Sequence, residues 1–131
     1  SALSDDGRYQ DTNNPNRMKA PYDQTYYFVF DKFDVSDADA ASAKVQGDYL
    51  LAHKNARIRL EGNADERGSR EYNVALGWRR AQAVADLLKQ QGVPDAQVAV
   101  ISFGKEKPAA LGHDDDSYKM NRRVNLVYEI K

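Results

Sequence analysis

The stretch Glu61-Gly62-Asn63-Ala64-Asp65-Glu66-Arg67-Gly68, followed by Tyr72-Asn73 and by Arg79-Arg80-Ala81, decides how this chain reads. Just before and into it, Ile58 and Leu60 alternate with Arg57, Arg59 and Glu61, the period-two pattern of a half-buried strand. Beyond Gly68 the period changes. A helix is expected from about Arg70 to Gln91, stopped by Gly92 ahead of Pro94. The quoted loop therefore joins a strand to a helix.

At about 100° per residue, Val74, Gly77, Ala81, Val84 and Leu88 share one face of that helix, flanked by Leu76 and Leu87. Glu71, Arg79, Gln82, Asp86, Lys89 and Gln90 form the face expected to meet solvent. Arg80 breaks the pattern. It falls between Leu87 and Val84 on the apolar arc, with Asn73 two turns earlier and nearly in line. An uncompensated buried charge costs roughly several kcal/mol, so Arg80 needs a partner, and Asp65 is the nearest candidate within the motif. Two readings fit. Asp65 and Arg80 form a structural ion pair closed by Asn73, or they clamp a zwitterion, the arginine fork taking a carboxylate and the aspartate an ammonium. Spacing alone leaves both open.

Working outward, Tyr26 to Phe30 reads as a strand, and Ser36 as the N-cap of a helix reaching about His53, with Ala38, Ala41, Val45, Tyr49 and Ala52 on one face. Val98 to Ser102 and Val124 to Ile130 read as two further strands. The order β-α-β-α-β-loop-β defines an α+β domain without internal repeats. Residues 1–23 are polar and rich in Asp, Asn and Pro, so they are expected to be a flexible tether, with the folded domain over 24–131.

Composition limits function. The 131 residues allow one domain with a real core, and nineteen basic against twenty acidic side chains give a net charge of -1. Neither a basic surplus nor an aromatic-basic stripe points to nucleic acid. The absence of cysteine excludes disulfides and thiolate metal sites. His113-Asp114-Asp115-Asp116 lacks calcium-loop spacing and reads as a cap before a short turn, so no metal or cofactor is expected. His53 sits at a helix end, and Asn121-Arg122-Arg123, ahead of a strand, fits a group that helps with anions or equally a solvated basic corner. There is no nucleophile elbow or phosphate loop. Asp65 and Glu66 are adjacent and expected to diverge, so no catalysis is expected. Trp78 falls at the edge of the apolar arc and reads as a core-rim residue.

Several separated motifs together resemble one family. Glu61 to Ala81, Phe103-Gly104-Lys105-Glu106-Lys107-Pro108, Leu111-Gly112-His113-Asp114, Asn121-Arg122-Arg123 and Tyr27-Phe28-Val29-Phe30-Asp31-Lys32-Phe33-Asp34-Val35 are similar to the OmpA-like domain of the peptidoglycan-associated lipoproteins, over about residues 25 to 130. The resemblance implies a mixed four-stranded sheet with helices packed on it, and non-catalytic binding of the peptidoglycan stem peptide at diaminopimelate. Carried onto this chain, it implies Asp65 for the ligand's ammonium, Arg80 for its carboxylate, and Asn73 and Asp31 as further contacts. Phe33, Ala64, Leu76 and Val124 would line the pocket, some through backbone groups. It further implies a Tol-system periplasmic β-propeller as partner, with docking as the main role in the alternative reading. Asn63 stands where many members have histidine, and Trp78 where an acidic or small polar residue is usual. The resemblance places the native protein at the periplasmic face of the outer membrane on an N-terminal lipid. With no signal peptide, lipid-bearing cysteine or long apolar run, this chain is expected to be a soluble form whose anchor was removed or replaced near Ser1.

Overall fold

Alternation in β2 (Arg57–Asn63) buries Ile58 and Leu60, and these two side chains set one face of a four-stranded sheet. The computed structural model describes residues 6–11 and 14–131. Its remaining elements are β1 (Gln24–Tyr27), α1 (Asp37–Ala52), α2 (Arg70–Gln91), a 3-10 turn (Asp95–Gln97), β3 (Val98–Gly104), α3 (Asp115–Asn121) and β4 (Arg123–Ile130). The sheet order is β1-β4-β2-β3. The β1–β4 and β2–β4 pairs are antiparallel and β2–β3 is parallel, so the sheet is mixed, as expected. The core lies between one sheet face and the helices: Tyr26, Leu60, Val124 and Leu126 meet Leu50 of α1 and Ala81, Val84 and Leu88 of α2.

The expected caps hold. Ser36 caps α1 by accepting from the Asp39 N–H, and Gly92 ends α2 in the left-handed conformation at φ 105°. Other expectations need correction. β1 ends at Tyr27 rather than Phe30, because the chain turns at Val29–Lys32, where the Lys32 N–H donates to the Val29 carbonyl and Asp31 takes φ 57°. The segment before β4 includes a short helix, α3, whose N-cap is Asp114, accepting from the Ser117 N–H at 2.9 Å. In α2, Val74 and Trp78 are exposed, because the buried stripe is centred on Asn73, Leu76, Gly77, Arg80 and Val84.

The buried face of α1 is not the alanine-valine face. Asp39, Ser42, Gln46 and Gly47 are buried with Ala43 and Leu50, while Ala38 and Ala41 are exposed. The polar groups are covered by the segment read as a tether. Arg17 pairs with Asp39, Ser42 donates to the Arg17 carbonyl at 2.6 Å, and Gln46 donates to the Lys19 carbonyl at 2.6 Å. Tyr9 meets Tyr27 edge-on, its ring centroid 5.0 Å away. Residues 6–11 and 14–23 are thus tied to the domain. The rest of the tether reading, and the anchor position near Ser1, lie outside the described residues.

One close approach fixes α2 on the sheet. A Cβ on Gly62 would stand 1.7 Å from the Gly77 carbonyl oxygen, and one on Gly77 would stand 2.9 Å from the Gly62 oxygen. Strand and helix therefore touch backbone to backbone, placing Asn73 one turn before the contact and Arg80 one turn after it. Gly62→Ala must push the helix away. Its expected cost is on the order of 3 kcal/mol, at the upper end for overpacking, and should appear as a melting temperature lowered by roughly 10 °C. An unchanged melting temperature would remove this contact as the element that positions the helix.

Candidate functional site

The β2–α2 junction opens into a cavity of about 290 Å³. Asp65, Arg67, Asn73 and Arg80 give it polar walls, with Ala64, Gly68 and Leu76 between them and Phe30, Asp31 and Tyr72 contributing the other side. Of the residues expected from sequence, Asp65, Arg80, Asn73, Asp31, Ala64 and Leu76 come together here. Phe33 and Val124 do not. Phe33 is exposed and lines a separate shallow groove beside Trp78, and Val124 is fully buried, its β4 neighbours in the core being Leu126 and Tyr128.

Arg80 is completely buried. Its Nε donates to the Lys32 carbonyl at 2.8 Å, Nη1 to Asn63 at 3.0 Å and Nη2 to Val29 at 3.1 Å. A guanidinium carries five N–H donors, so two remain uncommitted. The direct ion pair with Asp65, one of the two readings of the spacing, is not formed, because carbonyls from the loop after β1 and from the end of β2 surround the guanidinium. Burial, and then repulsion from Arg122, push its pKa down to about 9, against the opposing pull of Asp65 and Asp31. It stays charged at neutral pH. Among the described residues, no carboxylate lies within ion-pair distance of this buried cation.

Asp65 has other partners. Arg67 folds back to grip it, Nε at 3.1 Å from Oδ1 and Nη2 at 2.8 Å from Oδ2, while the Arg67 backbone N–H donates to Oδ1 at 3.0 Å. Arg122 Nη1 lies 3.6 Å from Oδ2. The reading of Arg122 and Arg123 as a solvated corner is therefore corrected. Both are buried, Arg122 donating to the Phe28 and Gly7 carbonyls and Arg123 to that of Lys107. Sequence reasoning passed over Arg67. The signal available was its place two residues beyond Asp65 in a tight loop, where an acid and a fork-shaped base close locally. The Arg67 guanidinium also stacks 4.0 Å from the Phe30 ring centroid and 4.5 Å from that of Tyr118.

Asn73 is buried and donates to the Arg67 carbonyl at 2.9 Å, tying helix to loop. Asp31 accepts from the Tyr72 hydroxyl and adopts a left-handed backbone that aspartate tolerates better than most residues. Glu66 diverges from Asp65, as expected, and pairs with His113 at the surface. Trp78 is about half exposed (49%) rather than at the core rim.

The arrangement is an open, charged clamp on an OmpA-like two-layer fold. The OmpA family profile matches residues 27–122. The chain is 48% identical over 111 residues to the peptidoglycan-associated lipoprotein of Legionella pneumophila, a stretch covering 85% of this chain and 63% of that protein. It is 46% identical over 104 residues to that of Haemophilus influenzae, covering 79% and 68% respectively. The crystal structure of the peptidoglycan-associated lipoprotein from Burkholderia pseudomallei superposes with a TM-score of 0.79 at 48% identity, covering 81% of this chain and 90% of that one. The C-terminal domain of Helicobacter pylori MotB shares the fold at 19% identity, with a TM-score of 0.73 over 82% of this chain and 85% of that one. The chain belongs to the OmpA family, among its peptidoglycan-associated lipoproteins. No helix of the described residues is long and apolar enough to cross a membrane.

Burial would raise the Asp65 carboxyl, but the Arg67 hydrogen bonds and the charges of Arg67 and Arg122 outweigh it, holding the pKa below its ordinary 3.8. A carboxylate with a lowered folded-state pKa contributes stability that is complete above the unfolded value and lost as pH falls through the folded one. Asp65→Asn should therefore melt below the parent at neutral pH, with the gap closing under pH 3.8. Melting temperatures measured across pH 2–7 check this, and a gap independent of pH would show that the Asp65 charge adds nothing.

Proposed function

We propose that this cavity binds the peptide stem of peptidoglycan at its diaminopimelate residue and catalyses no reaction. The observation that carries the reading is Arg80, a buried guanidinium bordering an open cavity, with two donors to spare and no carboxylate partner among the described residues. The surrounding charge supports it: Arg67, Arg80, Asp31 and Asp65 line the cavity, and Arg122 stands behind Asp65, its Nη1 3.6 Å from Oδ2, adding positive charge next to the site. A ligand carboxylate meets the Arg80 donors, its ammonium is received by Asp65 and Asp31, and Asn73 adds a hydrogen bond. Ala64 and Leu76 give the connecting methylenes an apolar wall. Phe33 and Val124 take no part through their side chains. The names of the relatives support a wall polymer as ligand. For the whole protein we infer peptidoglycan-associated anchoring of the outer membrane from its periplasmic face, through an N-terminal lipid, with residues 24–131 as the binding unit.

A second role at the same face has one observation in its favour. Phe30 and Tyr72 stand exposed at the cavity mouth (51% and 48%), which suits protein docking. In that role the partner is the Tol-system periplasmic propeller, and a soluble propeller should compete with wall fragments for the chain.

Calorimetric titration with a diaminopimelate stem peptide, and with the same peptide amidated at the side-chain carboxylate, tests the main reading. Binding in the micromolar to sub-millimolar range, about -4 to -8 kcal/mol, is expected for the free acid. The amide should bind at least about tenfold more weakly, the loss of roughly one charge-assisted contact. Equal affinity for both peptides would take Arg80 out of the binding site.

A further inference from the structure

We propose that Arg67 sets ligand selectivity by holding Asp65 until a ligand arrives that can exchange ion pairs with it. This rests on the stem-peptide reading and says how that site sorts its ligands. Asp65 is only 4% exposed, and both its oxygens are engaged by the Arg67 fork. An incoming ammonium reaches this carboxylate only by moving Arg67 aside. Arg67 is able to move: it is 39% exposed at its side chain and lines the cavity, and its stacking on Phe30 and Tyr118 gives it a plane along which to slide.

Once displaced, Arg67 keeps its charge and needs an anion. Besides Asp65, its charged neighbours lining the cavity are Arg80 and Asp31. Asp31 accepts from the Tyr72 hydroxyl and, among the described residues, makes no ion pair with Arg67. Arg122 stands beyond Asp65, and Asp115 acts on Arg67 only at range. A zwitterionic α-amino acid terminus solves this exchange, since the ammonium that takes Asp65 arrives with a carboxylate for the arginines. Ion pairs are swapped and none is lost. A bare alkylammonium, such as the lysine side chain of a stem peptide lacking the second carboxylate, takes Asp65 and leaves Arg67 without its ion-pair partner, next to Arg80. Arg67 thus penalises the simple amine, in addition to the missing contact to Arg80.

The test is a set of titrations of the parent chain, Arg67→Gln and Arg67→Lys with a diaminopimelate stem peptide and its lysine counterpart. In the parent, the lysine form should bind at least about tenfold more weakly. Arg67→Gln opens Asp65 to any ammonium, so the lysine form should gain about tenfold and the ratio between the peptides should collapse. Arg67→Lys, which keeps the charge without the fork or the stacking, should fall between the two and covers the case in which the glutamine variant fails to fold. The Arg67 Nε–H resonance of the parent should move on adding the diaminopimelate peptide. A parent ratio preserved in both variants, or an unmoved resonance in a parent that binds, would make Arg67 a brace for the loop and overturn the proposal while leaving the site reading intact. A parent that binds neither peptide would overturn both.

Discussion

The structure turns on a cation enclosed by carbonyl groups. Arg80 reaches from α2 across the core to Val29 and Lys32 in the loop after β1, and to Asn63 at the end of β2. It can do so only because Gly62 and Gly77 let helix and strand touch through their backbones. A hydrophobic side chain at position 80 would fill the space but take a donor from three carbonyls, of which that of Val29 keeps the Lys32 N–H; a buried carbonyl left with no donor costs about 1–3 kcal/mol. The same residue therefore closes three segments and delivers positive charge to the cavity. Fold and site share one constraint here, and neither can be altered without the other.

Around that cation the loop after β2 distributes charge in a second layer. Arg67 and Arg122 approach Asp65 from opposite parts of the chain, one local in sequence and one brought in just ahead of β4. Arg122 also donates to the Gly7 carbonyl at 2.7 Å, so the N-terminal segment and the site's acid share one guanidinium. Few of these donors and acceptors are idle. In the proposed reading, Arg122 behind Asp65 and the two uncommitted donors of Arg80 are what favour an anion over a neutral ligand of the same shape.

What was legible in the sequence follows from whether the physics was local. Arg80 could be found on a helical wheel because its neighbours Val84 and Leu87 fix the arc on which it lies, and Gly92 could be read as a stop because left-handed backbone favours glycine. The buried face of α1 could not. Asp39, Ser42 and Gln46 look like solvent residues until the N-terminal segment is seen to cover them with its own carbonyls and Arg17. The packing of Arg17 and Lys19 on α1 and the choice of the wrong α1 face thus have one physical cause, contacts between segments far apart in sequence. Arg122 was misread for a related reason: its acceptors, Phe28 and Gly7, lie about a hundred residues away or more in sequence. The Asp65–Arg80 ion pair, one of two readings that the wheel allows, does not form because Arg67 lies two residues from Asp65 and reaches both its oxygens.

The internal pairs also bear on how strongly such a site holds its ligand in the proposed reading. A clamp whose acid is already neutralised gains little from each new ion pair, because every contact to the ligand replaces one within the protein. The net gain comes from the uncommitted donors of Arg80 and from the apolar wall of Ala64 and Leu76. One site then binds weakly and releases readily. A surface carrying many copies against a polymer with many stems would still hold, since each engaged copy raises the effective concentration of stems for its neighbours. In the proposed reading, moderate affinity at a single site is a property of the charge layout itself: the arginine that occupies Asp65 in the free protein would lower binding strength and supply the selectivity.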